Sequence, residues 1–300
     1  MEQDLNYLIR KKNTKLPVPA MLPYHAADGG TGELPVLTFP EVEDTGAAKL
    51  IFTTRLGGVS GMTPGTEHLS SLNLSFSRGD DPACVRENFR RVADALGTVP
   101  DRFVFTDQTH TDHVRVVTEA DAGCGLTRER TYHDIDALVT NTPGLVLSVF
   151  IADCVPVAMV DPVHRAIGLA HSGWRGTVSE ISGKTIEKMT ACYGTDPADL
   201  VCAIGPSICR DCYEISTDVA EQFAGVFPDH TDEILEDRHN GHYQLDLWKA
   251  NEIVLRRAGV CPEKICVTGV CTCCNRDLLY SHRGAHGKRG NLGAFLMLKP

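Results

Sequence analysis

The sequence predicts a single mixed α/β domain, and three observations predict it. From residue 48 onward, short β-rich runs alternate with longer stretches of helical period. The helical stretches carry start and stop signals at their ends. No repeat and no Pro/Gly/Ser-rich linker divides the chain, and 300 residues that are 42% hydrophobic and 23% charged supply enough apolar mass for one large core or two modest ones.

Residues 1–47 lack periodicity and are rich in Pro, Gly and acidic residues, which reads as a loosely structured extension with one short strand. Residues 48–300 form the domain. KLIFTTR is a strand, followed by a Gly/Ser loop and then DPACVRENFRRVADALG, a helix opened by Asp81-Pro82 and closed by Gly97. FVF, VRVV, DALVT, LVLSVFIA, VPVAMVD and AIGLAH follow as strands. TVSEISGKTIEKMTACYG is a second helix, STDVAEQFAGVF and LDLWKANEIVLRRAG are two more, and CVTGV and AFLML are late strands.

Composition narrows the function. Lys and Arg number 29 against 39 Asp and Glu, a net charge of −10, and no basic block could track a phosphate backbone, so no nucleic-acid partner is expected. The N-terminus MEQDLNYLIRKKNTK has no apolar signal-peptide core, and Leu145–Ala152 is too short to span a bilayer. A cytoplasmic protein with no membrane partner is expected. In that reducing compartment the twelve cysteines are free thiols: ligands, nucleophiles or small buried hydrophobes.

Asp161-Pro162-Val163-His164 is a turn sequence between two strand-like runs. If Asp161 pairs with His164, Cys154 lies directly opposite His171 on the same face. His110 ends the run FVFTDQTH in the same way, so three strand ends could converge. Two imidazoles and a thiolate form a three-ligand zinc set with a fourth position open, where a bound water's pKa falls to about 7. A Cys154/His171 dyad with Asp153 nearby and no metal is the competing reading. Taken singly, a buried Cys is more often core than ligand. His113, three residues beyond His110, is read as structural.

Near these residues, Arg55 precedes a Gly-Gly turn, and Arg175 follows His171 in Gly173-Trp174-Arg175-Gly176, just ahead of a helix. Both suit an anion. Asn73, within SLNLS, is either a turn former or a substrate contact. Cys209 and Cys212 form a C-x2-C pair and Cys271, Cys273 and Cys274 a close group, but 58 residues part Cys212 from Cys271, more than in a usual zinc ribbon. These five are expected to be ordinary thiols.

The runs TTRLGGVSG, SSLNLS, DPACVRENFRR, TDQTH, DIDALVT, IADCVPVAMVD, AHSGWRGT, AIGPSI with CYEI, and CTCCNRDLLYSHRG together resemble the YfiH-type family, also called laccase-domain or polyphenol oxidase proteins. The resemblance runs from about residue 35 to the C-terminus. It implies a four-layer α/β/β/α sandwich with mixed sheets and a zinc on His110, Cys154 and His171, with copper a second metal that the site could hold. It implies phosphorolysis of adenosine, inosine, guanosine and methylthioadenosine, with adenosine deamination besides. Nucleoside and phosphate are then the partners of a protein expected to be monomeric. Within this family pattern Gln108, Asp153, Ser281 and Arg283 join Arg55, Asn73 and Arg175 as substrate contacts, with Arg55 and Arg175 neutralising phosphate beside the three metal ligands. Some relatives look like editing enzymes of peptidoglycan precursors, so an amidohydrolase using the same zinc or Cys154 is the alternative, and a non-catalytic zinc module a further one. The chain has no H-x-H pair of the kind that classical multicopper oxidases use. It reads Ser281-His282-Arg283-Gly284 where the family tends toward a serine-aromatic-Arg-Arg run.

Overall fold

The computed structural model describes residues 8–11, 18–26 and 29–300. In chain order the strands are β1 (Val18–His25), β2 (Thr31–Thr38), β3 (Ala48–Thr53), β4 (Phe103–Phe105), β5 (Val114–Val116), β6 (Ala137–Thr140), β7 (Val146–Ile151), β8 (Val155–Asp161), β9 (Ala166–Ser172), β10 (Val201–Ile204), β11 (Glu214–Ser216), β12 (Leu235–Asp237), β13 (His242–Leu245), β14 (Ile265–Val267) and β15 (Leu292–Leu298). The helices are α1 (Pro40–Asp44), α2 (Pro82–Leu96), α3 (Trp174–Val178), α4 (Ile181–Tyr193), α5 (Thr217–Val226), α6 (Thr231–Ile234) and α7 (Leu247–Arg257).

Two six-stranded sheets, ordered β1-β2-β3-β15-β7-β4 and β14-β10-β8-β9-β6-β5, carry most of these strands. Each is mixed, with parallel pairs at β4/β7, β10/β14 and β5/β6. One face of each sheet is buried against the other: Leu50, Phe52, Leu147 and Leu296 of the first meet Ala158, Ile167 and Leu169 of the second in one apolar cluster. The outer faces are covered by helices, α2 on the first sheet and α4 and α7 on the second. That is the four-layer α/β/β/α sandwich. Strands buried on both faces read as continuous apolar runs, which is why LVLSVFIA and VPVAMVD lack alternation.

The helix α2 shows why its sequence folds as it does. Asp81 caps it, its side chain accepting the Ala83 amide, Pro82 occupies the first turn, and Gly97 ends it with φ of 76°. Val85, Phe89, Val92, Ala93 and Leu96 fall on one stripe. On that stripe Phe89 meets Phe103, Phe105, Phe150 and Phe295 at centroid distances of 5.0–6.4 Å.

Three expectations change. The extension 1–47, expected to be loosely structured with one strand, contributes β1, β2 and α1, and β2 pairs with β3 across the expected boundary. Residues 1–7, 12–17 and 27–28 of it lie outside the described residues. The helix expected over 177–194 is broken, since Glu180 takes φ of 54° and separates α3 from α4, and α3 begins at Trp174 so that Arg175 lies within it. The β8/β9 register also differs. Asp161 pairs with Ala166 rather than His164, and His171 with Pro156 rather than Cys154. The cause is local: the Asp161 carboxylate accepts the amides of both Val163 and His164, and Arg165 adopts φ of 51°, which stretches the turn to four residues. A two-residue slip preserves the face.

No helix among the described residues is long and apolar enough to cross a membrane.

Candidate metal centre

Two loops and a strand end converge at one end of the sandwich. His110 lies in the segment between β4 and β5, Cys154 in the bend that joins β7 to β8, and His171 near the end of β9. His110 Nε2 is 4.0 Å from Cys154 Sγ, and the two imidazoles are tilted by 73° with centroids 5.1 Å apart. One ligand atom from each of the three residues lies within 4.8 Å of the others. The backbone at Asp153 (φ 90°) and His110 (φ 66°) is in the left-handed region, a conformation that costs energy in non-glycine residues and is held here by the surroundings.

Asp136 does much of the holding. It is fully buried, its Oδ1 binds His171 Nδ1 at 2.7 Å, and its Oδ2 accepts the amides of Thr109 and Thr111 at 3.0 Å each. With Nδ1 engaged, His171 has Nε2 left for a metal. Asp153 braces the other side. Its carboxylate accepts Thr272 Oγ1 and the Arg283 amide, each at 2.6 Å, and its carbonyl accepts the Ile208 amide at 3.0 Å. Room for the centre comes from Gly173, where a Cβ would stand 3.0 Å from Cys154 Sγ and 3.2 Å from His110 Cδ2.

Burial pushes the Cys154 thiol up, but His171 and His110 outweigh it and bring the thiol to about 6. Burial lowers His171, and Cys154 with Asp136 outweighs it to raise the imidazole to about 9. The opposite shifts share one cause, the attraction between the thiolate form of Cys154 and the protonated form of His171. Two imidazoles and a thiolate suit zinc. Two imidazoles and a thiolate with a weak axial ligand are also the donors of blue-copper sites, so the set fits copper as well.

The cavity in which the three meet has a volume of about 860 Å³. Gln108 lines it with its amide turned to the backbone of Phe150, accepting the Phe150 amide and donating to the Phe150 carbonyl at 2.7 Å each. Arg78, Arg86, Arg128, Arg130 and Arg289 line it too, against two carboxylates, Asp107 and Glu129. Asp107 is already paired with Arg130 at 2.6 Å. Burial, and after it the neighbouring Arg78, lowers the Arg289 guanidinium to about 10. An acidic protein therefore has a cationic cavity.

The other expected contacts do not line this cavity. Arg55 is not among the lining residues: it donates to the carbonyls of Ser70, Arg276 and His68 and stacks over Tyr280. Arg175 is exposed and stacks over Trp174. Asn73 is fully buried, with its amide spent on Ser75, Asp80 and the Asn291 amide, so it is a loop former. Ser281 accepts the Gly284 amide, and Arg283 donates to the carbonyls of Cys212 and Glu214. His113 is exposed, with Nδ1 2.9 Å from the Asp134 carbonyl. Asp136 and Arg78 escaped the sequence reading of the site. The one available signal was an acidic residue at the head of the apolar run ALVT.

An α/β/β/α sandwich that gathers two histidines and a cysteine in a cation-lined cavity defines a class of proteins with a candidate metal site. Within that class, the chain belongs to the multi-copper polyphenol oxidoreductase laccase family, whose model matches residues 49–299. It is 36% identical over 252 residues to the purine nucleoside phosphorylase YlmD of Bacillus subtilis, covering 83% of this chain and 87% of the relative. It is 33% identical over 242 residues to the adenosine deaminase RL5 of an unknown prokaryotic organism, covering 78% of this chain and 92% of that one. Among solved structures it is similar to the hypothetical protein YfiH of Bacillus licheniformis, with a TM-score of 0.82, 34% identity and coverage of 88% of this chain and 96% of that one.

Proposed function

We propose that the protein is a zinc-dependent purine nucleoside phosphorylase acting on adenosine, inosine, guanosine and methylthioadenosine, with adenosine deamination as a second activity. The observation that carries the reading is the presence of both parts in one cavity: His110, Cys154 and His171 within ligand distance of one another, and Arg78 and Arg289 beside them. A volume of about 860 Å³ accommodates a nucleoside with phosphate. Zinc held by the three side chains would supply a Lewis acid at an open fourth position.

The chain's own residues divide the remaining work. Asp136 fixes the ring of His171 and the loop of His110. Arg289 and Arg78, rather than Arg55, receive phosphate and neutralise it as one of its oxygens bonds to the ribose C1′ and the C1′–N9 bond breaks. The purine leaves with the bonding electrons and takes up the proton that the attacking phosphate gives up. Phe76, partly exposed at the cavity and stacked on Phe89, offers its ring to the base. Asp153 positions Cys154, and Gln108 holds the cavity wall at Phe150. Deamination is supported by the same metal ligands and by the relative named adenosine deaminase.

Metal-replete protein incubated with adenosine and phosphate should yield ribose 1-phosphate and adenine, and inosine where deamination occurs. His171→Ala should abolish both along with the zinc that these ligands hold. Turnover of none of the four nucleosides by zinc-loaded protein would overturn the reading.

A further inference from the structure

The two cysteine pairs that sequence separation kept apart are brought together. One Sγ from each of Cys209, Cys212, Cys271 and Cys274 lies within 4.8 Å of all the others. The topology explains it. Strands β10 and β14 are parallel neighbours, Ile204 lying beside Val267, and the pairing continues past their ends through a bridge between Ser207 and Cys271. Cys209 and Cys271 are 62 residues apart, as are Cys212 and Cys274, so the parallel register lays one C-x2-C turn alongside the other.

We propose that these four thiols form a second, structural zinc site. Zinc–sulfur bonds of about 2.3 Å in a tetrahedron put the sulfurs about 3.8 Å apart, and Cys212 Sγ and Cys274 Sγ stand at 3.5 Å. The environment suits thiolates. The Cys209 amide donates to Cys271 Sγ at 3.2 Å, and Cys209 and Cys271 are buried while Cys212 and Cys274 are half-buried. Lys11, paired with Asp211 between the two ligands of the first turn, lies within electrostatic reach of Cys274 and Cys209 and offsets the negative charge of a tetrathiolate. Four sulfur ligands close the coordination shell, which marks a structural rather than a catalytic metal.

The site ties together the two cysteine turns and the segments bonded to them. The N-terminal segment is bound to the second turn: Ile9 exchanges backbone hydrogen bonds with the Asn275 side chain, and Lys11 donates to the Gly269 carbonyl. Thr272 and Ile208, each next to a ligand, bond to Asp153, the residue before Cys154. The tetrathiolate thus anchors one wall of the first metal centre without belonging to it.

Elemental analysis of the full-length protein, purified without added metal, should find two equivalents of zinc. The double variant Cys154→Ala/His171→Ala should keep one, and zinc-edge X-ray absorption on it should show four sulfur neighbours at about 2.3 Å. This arm leaves all four cysteines in place and does not depend on the proposed activity. Cys212→Ser/Cys274→Ser should lose one equivalent and retain the other. Zinc wholly lost in the Cys154/His171 variant, nitrogen or oxygen neighbours in its spectrum, or a disulfide among the four cysteines by mass spectrometry would overturn the proposal.

Discussion

Asp136 and His171 are joined by a 2.7 Å contact between buried side chains, and the second oxygen of the same carboxylate holds the amides on both sides of His110. One residue that would touch no metal therefore sets the position of two that would. Carboxylates that orient ligating histidines affect metal affinity by about 10- to 100-fold. Asp136→Ala should weaken zinc binding at this centre by that factor while the fold persists, as read by competition with a chromogenic chelator and by circular dichroism. Unchanged affinity would mean that the histidines are held some other way.

Gly173 tests the space around the same centre. A methyl group there must displace Cys154 Sγ or the His110 ring, at 3.0 and 3.2 Å. Overpacking of this kind costs about 1–3 kcal/mol, equivalent to about 5- to 150-fold in binding. Gly173→Ala should lose zinc affinity by that amount, and because its φ of −67° suits any residue, thermal stability of the metal-free protein should fall less. Metal affinity equal to wild type would show that the loop yields freely.

The two proposed activities separate at Arg289. Phosphorolysis consumes phosphate and deamination does not, so a guanidinium that binds phosphate matters to one alone. Hydrogen bonds to charged groups contribute about 1.5–3 kcal/mol. Arg289→Met should raise the KM for phosphate about 10- to 100-fold and leave the rate of inosine formation from adenosine within about twofold. Equal losses in both would assign Arg289 to the architecture of the cavity.

How much of this was legible follows from where each signal lies along the chain. The convergence of His110, Cys154 and His171 could be read because residues at strand ends leave a local mark, an apolar run that stops at an imidazole or thiol, and because the face of a strand survives a two-residue error in register. α2 was legible for the same reason, since Asp81, Pro82 and Gly97 are all local. Asp136 was hidden, because one acid before ALVT does not announce a partner 35 residues away. The four cysteines were read as ordinary thiols because separation along the chain says nothing of parallel strand pairing. Arg55 misled in the opposite sense: a basic residue before a Gly-Gly turn looks like an anion site, and its donors prove to be spent on carbonyls.

The turn that shifted the β8/β9 register also gives a pH-dependent test of stability. Asp161 is fully buried and accepts the amides of Val163 and His164, with His164 Nδ1 3.0 Å from its second oxygen. Burial pushes its carboxyl up, but Thr195, and after it these bonds to His164 and Val163, outweigh burial and hold it below the usual carboxylate range. A carboxyl lowered in the folded state contributes stability that is present above its unfolded value, about 3.9, and is lost as pH falls through the folded one. Asp161→Ala should cost about 1–3 kcal/mol at pH 7, and the gap to wild type should close below about pH 4. Asp161→Asn, which keeps an oxygen for the two amides, should lose less at pH 7 and vary little with pH. Urea unfolding of the three proteins from pH 7 to pH 3 reads this directly. A gap between wild type and Asp161→Ala that stays constant across the range would assign the carboxylate's contribution to shape rather than charge.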